Sequence, residues 1–391
     1  MKNREIIIGV IVLLIILILI ITTSTTGFFN LKEDKYIEVA YISALSGDAG
    51  VWGQSLKKGF DFAVKEINSQ GGIDGKLIKP IYEDDLCDTK SGINAYKKVI
   101  ELDNVKIITG TVCSSVALSV APITQENNIL YMASGATHPD VTKQGDLIFR
   151  IWVSDAYEAK EVAEFATQEM NFKKLAIIHM NDNPAGIALK EEFVKTTKKN
   201  NAEITAVEEF SSDVTDFRTI ATKLIESHPE GIYVMATPEQ LPLIINQLKV
   251  LKYTGMIFAY GPSILSEGIA DKITDKSNIY YPNAITKELT NFWNDYKNKT
   301  GESADVLVAG GYDSMKLIED GLKHCGEDNE CIRDYWLSLK DYETSRGLIS
   351  YDETGDLSEI EYEIKELNYL SFTPILYTTS KLWFYMIKRS I

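Results

Sequence analysis

The stretch YIEVAYISALSGDAGVWGQSLKKGFDFAVKEINSQGGIDGKLIKPIYED (Tyr36–Asp84) decides the fold class. Ile37–Ile42 is a short apolar run that reads as a strand. Leu56, Phe60, Ala63, Val64 and Ile67 then recur at three- and four-residue spacing, which puts them on one face of a helix. Gly71-Gly72-Ile73-Asp74-Gly75 is a turn cluster. Leu77–Tyr82 is the next strand, and Pro80 within it predicts a sheet edge or a bulge, because proline cannot donate to a ladder.

The rhythm continues outward. A helix is expected over Thr89–Leu102, a buried strand over Val105–Thr109, a helix from about Ser115 and a strand over Ile129–Met132. It restarts after Arg150, with a helix over Glu158–Met170 and strands at Leu175–Ile178, Gly231–Met235 and Met256–Ala259. Such alternation means parallel sheets covered by helices on both faces. Two series with a break near residues 150–156 predict two α/β lobes. Beyond Asn278, helices are expected near Leu289–Lys299 and Val306–His324, then short strands near Gly347–Tyr351 and Glu361–Leu367.

The ends differ from the middle. Lys2 and Arg4 precede an apolar run from Ile6 to Ile21, broken only by Gly9. With the threonines that follow, this reads as a transmembrane anchor over residues 1–30, with the bulk of the chain outside the cytoplasm; a cleaved signal peptide is the alternative. The tail, residues 371–391, contains an apolar run, Leu382–Ile387, too short to span a bilayer. An extracytoplasmic location suits the four cysteines, Cys87, Cys113, Cys325 and Cys331, which allow two disulfides in three pairings. No CxxC spacing exists, so no metal site is expected.

Composition excludes other classes. The chain has 391 residues, with 40 Lys+Arg against 56 Asp+Glu and a net charge of −16. That balance argues against a nucleic-acid partner, which draws clustered basic side chains. Gly47, Gly50 and Gly53 follow the first strand as GxxGxxG rather than the dinucleotide GxGxxG, and no GxSxG elbow exists. His138, His179, His228 and His324 belong to no motif. No catalytic residue and no cofactor are therefore assigned. Hydroxyl residues do gather after two successive strands, in Thr109–Ser115 and in Ser134–Thr137. Ligands of open α/β sheets bind at the carboxyl ends of strands, and Ser114 or Ser115 at a helix start offers a hydroxyl and free N–H groups to a carboxylate.

These residues resemble the type 1 periplasmic binding proteins, in particular the leucine/isoleucine/valine-binding proteins of ABC importers. The likeness runs through Leu45–Gly92, GTVCSSVALSVAP (Gly110–Pro122), SGATHPDVT (Ser134–Thr142), GDLIFR (Gly145–Arg150) and RGLISYDETGDL (Arg346–Leu357). It implies two lobes joined by three hinge strands: residues 36–152 plus 284–344, and 153–283 plus 345–370. It implies a monomer that closes on a small ligand, an amino acid or related carboxylate, and delivers it to an ABC permease. A membrane-tethered sensor acting with a separate signalling partner is the alternative. The ligand's carboxylate would meet the positions of Ser114, Gly135 and Thr137, with Val112 and Ala136 as pocket wall and Trp52 as an aromatic cover. Thr237 and Tyr260 are expected along the same cleft. The family's disulfide matches Cys87–Cys113, while Cys325–Cys331 has no counterpart in the pattern. Two positions depart from it. Ala185 stands where a Tyr is common, and Ser263, after Gly261-Pro262, stands where an acid usually holds the ligand's ammonium.

Overall fold

A computed structural model describes residues 35–266, 268–284, 291–358 and 362–367. The predicted anchor and the tail lie outside these residues. Among the described residues, no helix is long and apolar enough to cross a membrane.

The first unit runs β1 (Tyr36–Ser43), α1 (Gly50–Ser69), β2 (Leu77–Asp84), α2 (Thr89–Glu101), β3 (Ile107–Gly110), α3 (Ser114–Glu126), β4 (Leu130–Ala133) and β5 (Ile148–Arg150). Its sheet has the order β2-β1-β3-β4-β5, with every pair parallel. Strands β3 and β4 are buried along their whole length, as expected of strands covered on both faces. Pro80 lies on β2, an edge strand, where its missing N–H costs the sheet nothing.

The second unit begins with α4 (Asp155–Glu164) and continues β6 (Lys174–Met180), α5 (Pro184–Lys199), β7 (Glu203–Phe210), α6 (Arg218–Glu226), β8 (Gly231–Val234), α7 (Gln240–Val250), β9 (Met256–Ala259), α8 (Gly261–Ile264) and β10 (Ile279–Asn283). Its order β7-β6-β8-β9-β10 repeats that of the first sheet. The chain then returns to the first unit through α9 (Phe292–Thr300), α10 (Val306–Cys325), α11 (Asn329–Ser338) and the antiparallel strands β11 (Tyr342–Thr344), β12 (Gly347–Tyr351) and β13 (Leu357–Ser358). It ends in β14 (Glu363–Glu366), antiparallel to β10 at the edge of the second sheet.

The expected boundary at residue 345 moves. Ile349, Tyr351 and Leu357 pack into the first core, whereas Leu367 lies in the second. The cause is an anchor at the end of β5. Arg150 is fully buried, its Nη2 donates to Asp356 Oδ2 at 2.9 Å and its Nη1 to the His138 carbonyl at 3.1 Å. Phe149 meets Tyr351 edge-on at 5.2 Å between ring centroids. GDLIFR and RGLISYDETGDL, distant in sequence, are thus packed partners.

Helices α1 and α10 touch backbone to backbone. A Cβ on Gly311 would sit 1.8 Å from the Leu56 carbonyl oxygen, and one on Gly59 would sit 1.7 Å from that of Val308. Asp305 caps α10 by accepting the N–H groups of Leu307 and Val308 at 2.9 and 2.8 Å. Both disulfides are formed, Cys87–Cys113 and Cys325–Cys331. The first closes a loop with a sequence separation of 26. Such a loop corresponds to roughly 3.5 kcal/mol of denatured-state restriction.

Because the Leu56 obstacle is backbone, Gly311→Ala must push the two helices apart. We expect a loss of at least about 1–3 kcal/mol, the usual cost of overpacking. Urea unfolding checks this, and an unchanged midpoint would mean that the helices have slack.

Candidate functional site

In the first sheet β1 lies between β2 and β3, so α1 and α3 leave on opposite sides of the crevice at the carboxyl ends of these strands. In the second sheet β6 occupies the equivalent place between β7 and β8. A cavity of about 260 Å³ takes lining residues from both crevices. The first unit contributes Trp52 from the opening turn of α1, Val112, Ser114 and Ser115 around the start of α3, and Gly135 and Thr137 after β4. The second contributes Met180 and Ala185 beside β6, Met235 and Thr237 after β8, and Tyr260 and Pro262 after β9.

One end of this cavity presents hydrogen-bond donors. Cys113 occupies the N-cap of α3 and makes no side-chain cap, so the first-turn N–H groups remain available to a ligand. Ser114 Oγ accepts the backbone N–H groups of Thr137 at 3.2 Å and His138 at 3.1 Å, which leaves its own proton to donate. The helix dipole adds partial positive charge at the same place. Among the described residues, the lining contains no Lys, Arg or His. An anion held here is held by N–H and O–H dipoles.

Beside this end, the polarity reverses. Thr137 Oγ1 donates to Asp155 Oδ2 at 2.6 Å, and Tyr260 OH donates to Asp155 Oδ1 at 3.2 Å. Asp155 is 1% exposed and lies just behind the wall. Glu158, one turn further along α4, accepts Tyr233 OH at 2.7 Å and the Gly261 N–H at 3.1 Å. Desolvation pushes Asp155 up to about 7 and Glu158 up to about 8, only partly opposed by these hydrogen bonds. At the rim Asp48 and Asp182 also line the cavity, and Asp182 accepts the Ser212 N–H and Oγ–H, both at 2.8 Å.

Of the residues singled out by sequence, Trp52, Val112, Ser114, Ser115, Gly135, Thr137, Ala185 and Thr237 all border the cavity. Ala136 and Ser263 do not; both are fully buried. Ser263 is turned away by the short helix α8, and its Oγ donates to the Ala236 carbonyl at 2.6 Å, so it offers the ligand nothing. Its neighbour Pro262 lines the wall instead. Sequence reasoning missed Trp152, Met180, Met235, Leu307, Asp48 and Asp182. Met180 closes β6 and Met235 follows β8, so strand ends held a usable signal there. Leu307 arrives from α10, far along the chain, and carried none. Both Cys87 and Cys113 also border the cavity, which makes their disulfide part of its wall. The indole N–H of Trp52 is buried without a partner.

Comparison with known proteins is consistent with this geometry. A family profile described as periplasmic binding protein matches residues 36–357. The Leu/Ile/Val-binding protein homolog 3 of Brucella melitensis is 26% identical over 342 residues, covering 84% of this chain and 90% of that protein. The branched-chain amino acid transporter substrate-binding protein LivJ of Streptococcus pneumoniae, solved in complex with isoleucine, superposes with a TM-score of 0.76 at 22% identity, covering 85% of this chain and 100% of that one. A solute-binding protein of an ABC transporter from R. palustris, solved in complex with benzoate, gives a TM-score of 0.78 at 16% identity, covering 85% and 93%.

Ser114→Ala leaves two backbone N–H groups at the cavity edge without their acceptor. The expected loss of folding stability is about 1–3 kcal/mol, the penalty for unsatisfied donors. Equilibrium urea unfolding measures it, and no change would show that the Ser134–Thr137 loop is held by other contacts.

Proposed function

This chain belongs to the periplasmic binding protein family, and we propose that it is the extracytoplasmic solute-binding component of an ABC importer. It captures a small carboxylate-bearing molecule between two lobes and presents the closed form to a membrane permease. The observation that carries this reading is the uncapped start of α3 with Ser114, facing a cavity lined, among the described residues, by no cationic side chain. Such a wall holds a carboxylate by dipoles alone and suits reversible binding rather than bond chemistry. The relatives' names and the ligands of the solved neighbours, isoleucine and benzoate, agree on a carboxylate and differ in whether an ammonium accompanies it.

We assign residues 36–153 and 292–358 to the first lobe and 154–283 with 363–367 to the second, on the strength of their cores. The chain passes between them three times, after β5, after β10 and after β13, which suits a hinge. Ligand contacts are assigned to Trp52, Val112, Ser114, Ser115, Gly135 and Thr137 on one side, and to Ala185, Thr237 and Tyr260 on the other. Residues 1–30 are assigned as the membrane anchor, from Lys2 and Arg4 ahead of the run Ile6–Ile21.

A thermal-shift panel of amino acids, their amides, short carboxylates and aromatic acids tests the reading. A ligand at 100 times its Kd stabilises by about 2.7 kcal/mol. At least one carboxylate should raise the melting temperature. Response only to compounds without a carboxylate would overturn the assignment of the α3 end.

A further inference from the structure

We propose that the buried carboxyl of Asp155 sets, through Thr137 and Tyr260, whether this wall of the cavity accepts or donates hydrogen bonds, and that ligand capture is therefore linked to a proton. The inference rests on the solute-binding reading above and refines its ligand class.

The geometry carries it. Among the described residues, the Asp155 carboxyl meets the cavity wall through two hydroxyls, Thr137 Oγ1 at 2.6 Å and Tyr260 OH at 3.2 Å, and both of those residues line it. An ionised carboxylate can only accept. Both hydroxyl protons then point inward, and Thr137 and Tyr260 show the ligand lone pairs, which suit an ammonium. A neutral carboxyl instead donates its proton to one of the two oxygens. That hydroxyl's own proton is freed towards the cavity, where it suits a carboxylate or phenol. One proton thus exchanges an acceptor wall for a donor wall.

The surrounding groups leave that proton poised. Thr137 from the loop after β4 and Tyr260 from the end of β9 favour the ionised form. Arg150 on β5 favours it too, but its Nε lies 2.7 Å from Asp356 Oδ1. Opposing it is burial, while Glu158 on the same helix, raised by its own burial and by the charge of Asp155, is held by Tyr233 of β8 and the Gly261 N–H. Tyr362, ahead of β14, is coupled to both acids. Among the described residues, no Lys, Arg or His forms an ion pair with either carboxyl. Two buried carboxyls one turn apart do not both ionise readily, so the pair retains a proton near neutrality.

The sign follows. A carboxyl raised from 3.8 to about 7 favours the folded state most fully below its unfolded value, and that contribution is lost as pH rises towards and through 7. A ligand ammonium expels the proton, so its affinity climbs with pH, by up to about tenfold per unit below the midpoint. A ligand with only a carboxylate behaves in the opposite sense.

The test uses the full chain labelled with ¹³C at aspartate carboxyls. The Asp155 resonance, identified by its loss in Asp155→Asn, should titrate with a midpoint near 7 in the ligand-free protein. Tyr260→Phe, which keeps the carboxyl and removes one donor, should move that midpoint up and identifies the resonance if Asp155→Asn does not fold. A midpoint below about 5, in the ordinary carboxylate range, overturns the proposal. Calorimetry with L-phenylalanine and with benzoate, each in phosphate and in Tris, then counts protons. Proton release with the first or uptake with the second supports the linkage, and buffer-independent enthalpies for a probe that binds overturn it. Failure of every carboxylate to bind counts against the solute-binding reading instead, and the NMR midpoint still decides the proton.

Discussion

The two-way hydrogen bonding between Thr137 and Asp155 holds the rest of the site in place. The Asp155 N–H donates to the Thr137 carbonyl at 3.0 Å, while Thr137 Oγ1 returns a bond of 2.6 Å to the Asp155 carboxyl. Thr137 ends the binding loop of the first sheet, and Asp155 is the first helical residue of the second unit. The same loop donates the N–H groups of Thr137 and His138 to Ser114 at the start of α3. The helix end that would meet an anion, the loop beside it and the helix that opens the second unit therefore form one hydrogen-bonded run. Ser114, Thr137 and Asp155 are shielded from solvent, where an unpaired polar group costs far more than it would at the surface. Altering one member displaces the others.

Much of this was legible in the residues, and what was not legible has physical reasons. Strand runs and helical spacing gave both sheets, because parallel strands buried on two faces are apolar throughout and hard to mistake. Ser114 and Thr137 stood out because they follow strands, where an open sheet binds. Ser263 misled because a Gly-Pro turn places the next side chain by local geometry. Here that turn starts a short helix, which points the hydroxyl at the Ala236 carbonyl. Asp155 was overlooked for the opposite reason. An acid after Ser154 in the first turn of a helix looks like solvated dipole compensation. Its burial among Thr137 and Tyr260, the latter 105 residues later, is a tertiary fact that local spacing does not carry. The misplaced boundary at residue 345 has the same origin, since β12 joins the first core through Phe149 and Arg150.

Among the described residues no basic side chain lines the cavity, although two arginines stand close by. Arg150 is committed to Asp356, and Arg346 Nε donates to Asp313 at 2.9 Å while its guanidinium lies 4.8 Å from the Trp152 ring centroid. Both charges are spent on fixing the returning chain to the first unit. Arg346 Nη2 also donates to the Ile151 carbonyl at 2.7 Å, which ties the first crossing to α10 through Asp313. Trp152 forms part of the cavity wall, so this framework reaches the ligand surface without placing a charge there. A full positive charge in the pocket would bind any anion tightly. Dipoles from α3 and Ser114 hold one more weakly and only in the right orientation, as a protein that must release its cargo requires.

The two sides of the junction are consequently held by different kinds of bond. The crossing after β5 is tied to the first unit by the Arg150–Asp356 ion pair and by Arg346 on the Ile151 carbonyl, whereas α4 of the second unit meets the first through the Thr137 hydroxyl on the carboxyl of Asp155. Neutral hydrogen bonds of this kind re-form easily when partners shift by fractions of an ångström, and ion pairs with buried arginine do not. In the proposed closure the first lobe with its crossing then acts as the fixed body, and the second turns about α4. Tyr260 and Asp155 both belong to the moving side, and their bond is 3.2 Å, whereas Thr137 belongs to the fixed side. The 2.6 Å bond from Thr137 to Asp155 is therefore the contact that spans the two lobes. The proton proposed for Asp155 thus bears on the contact between the lobes as well as on ligand choice.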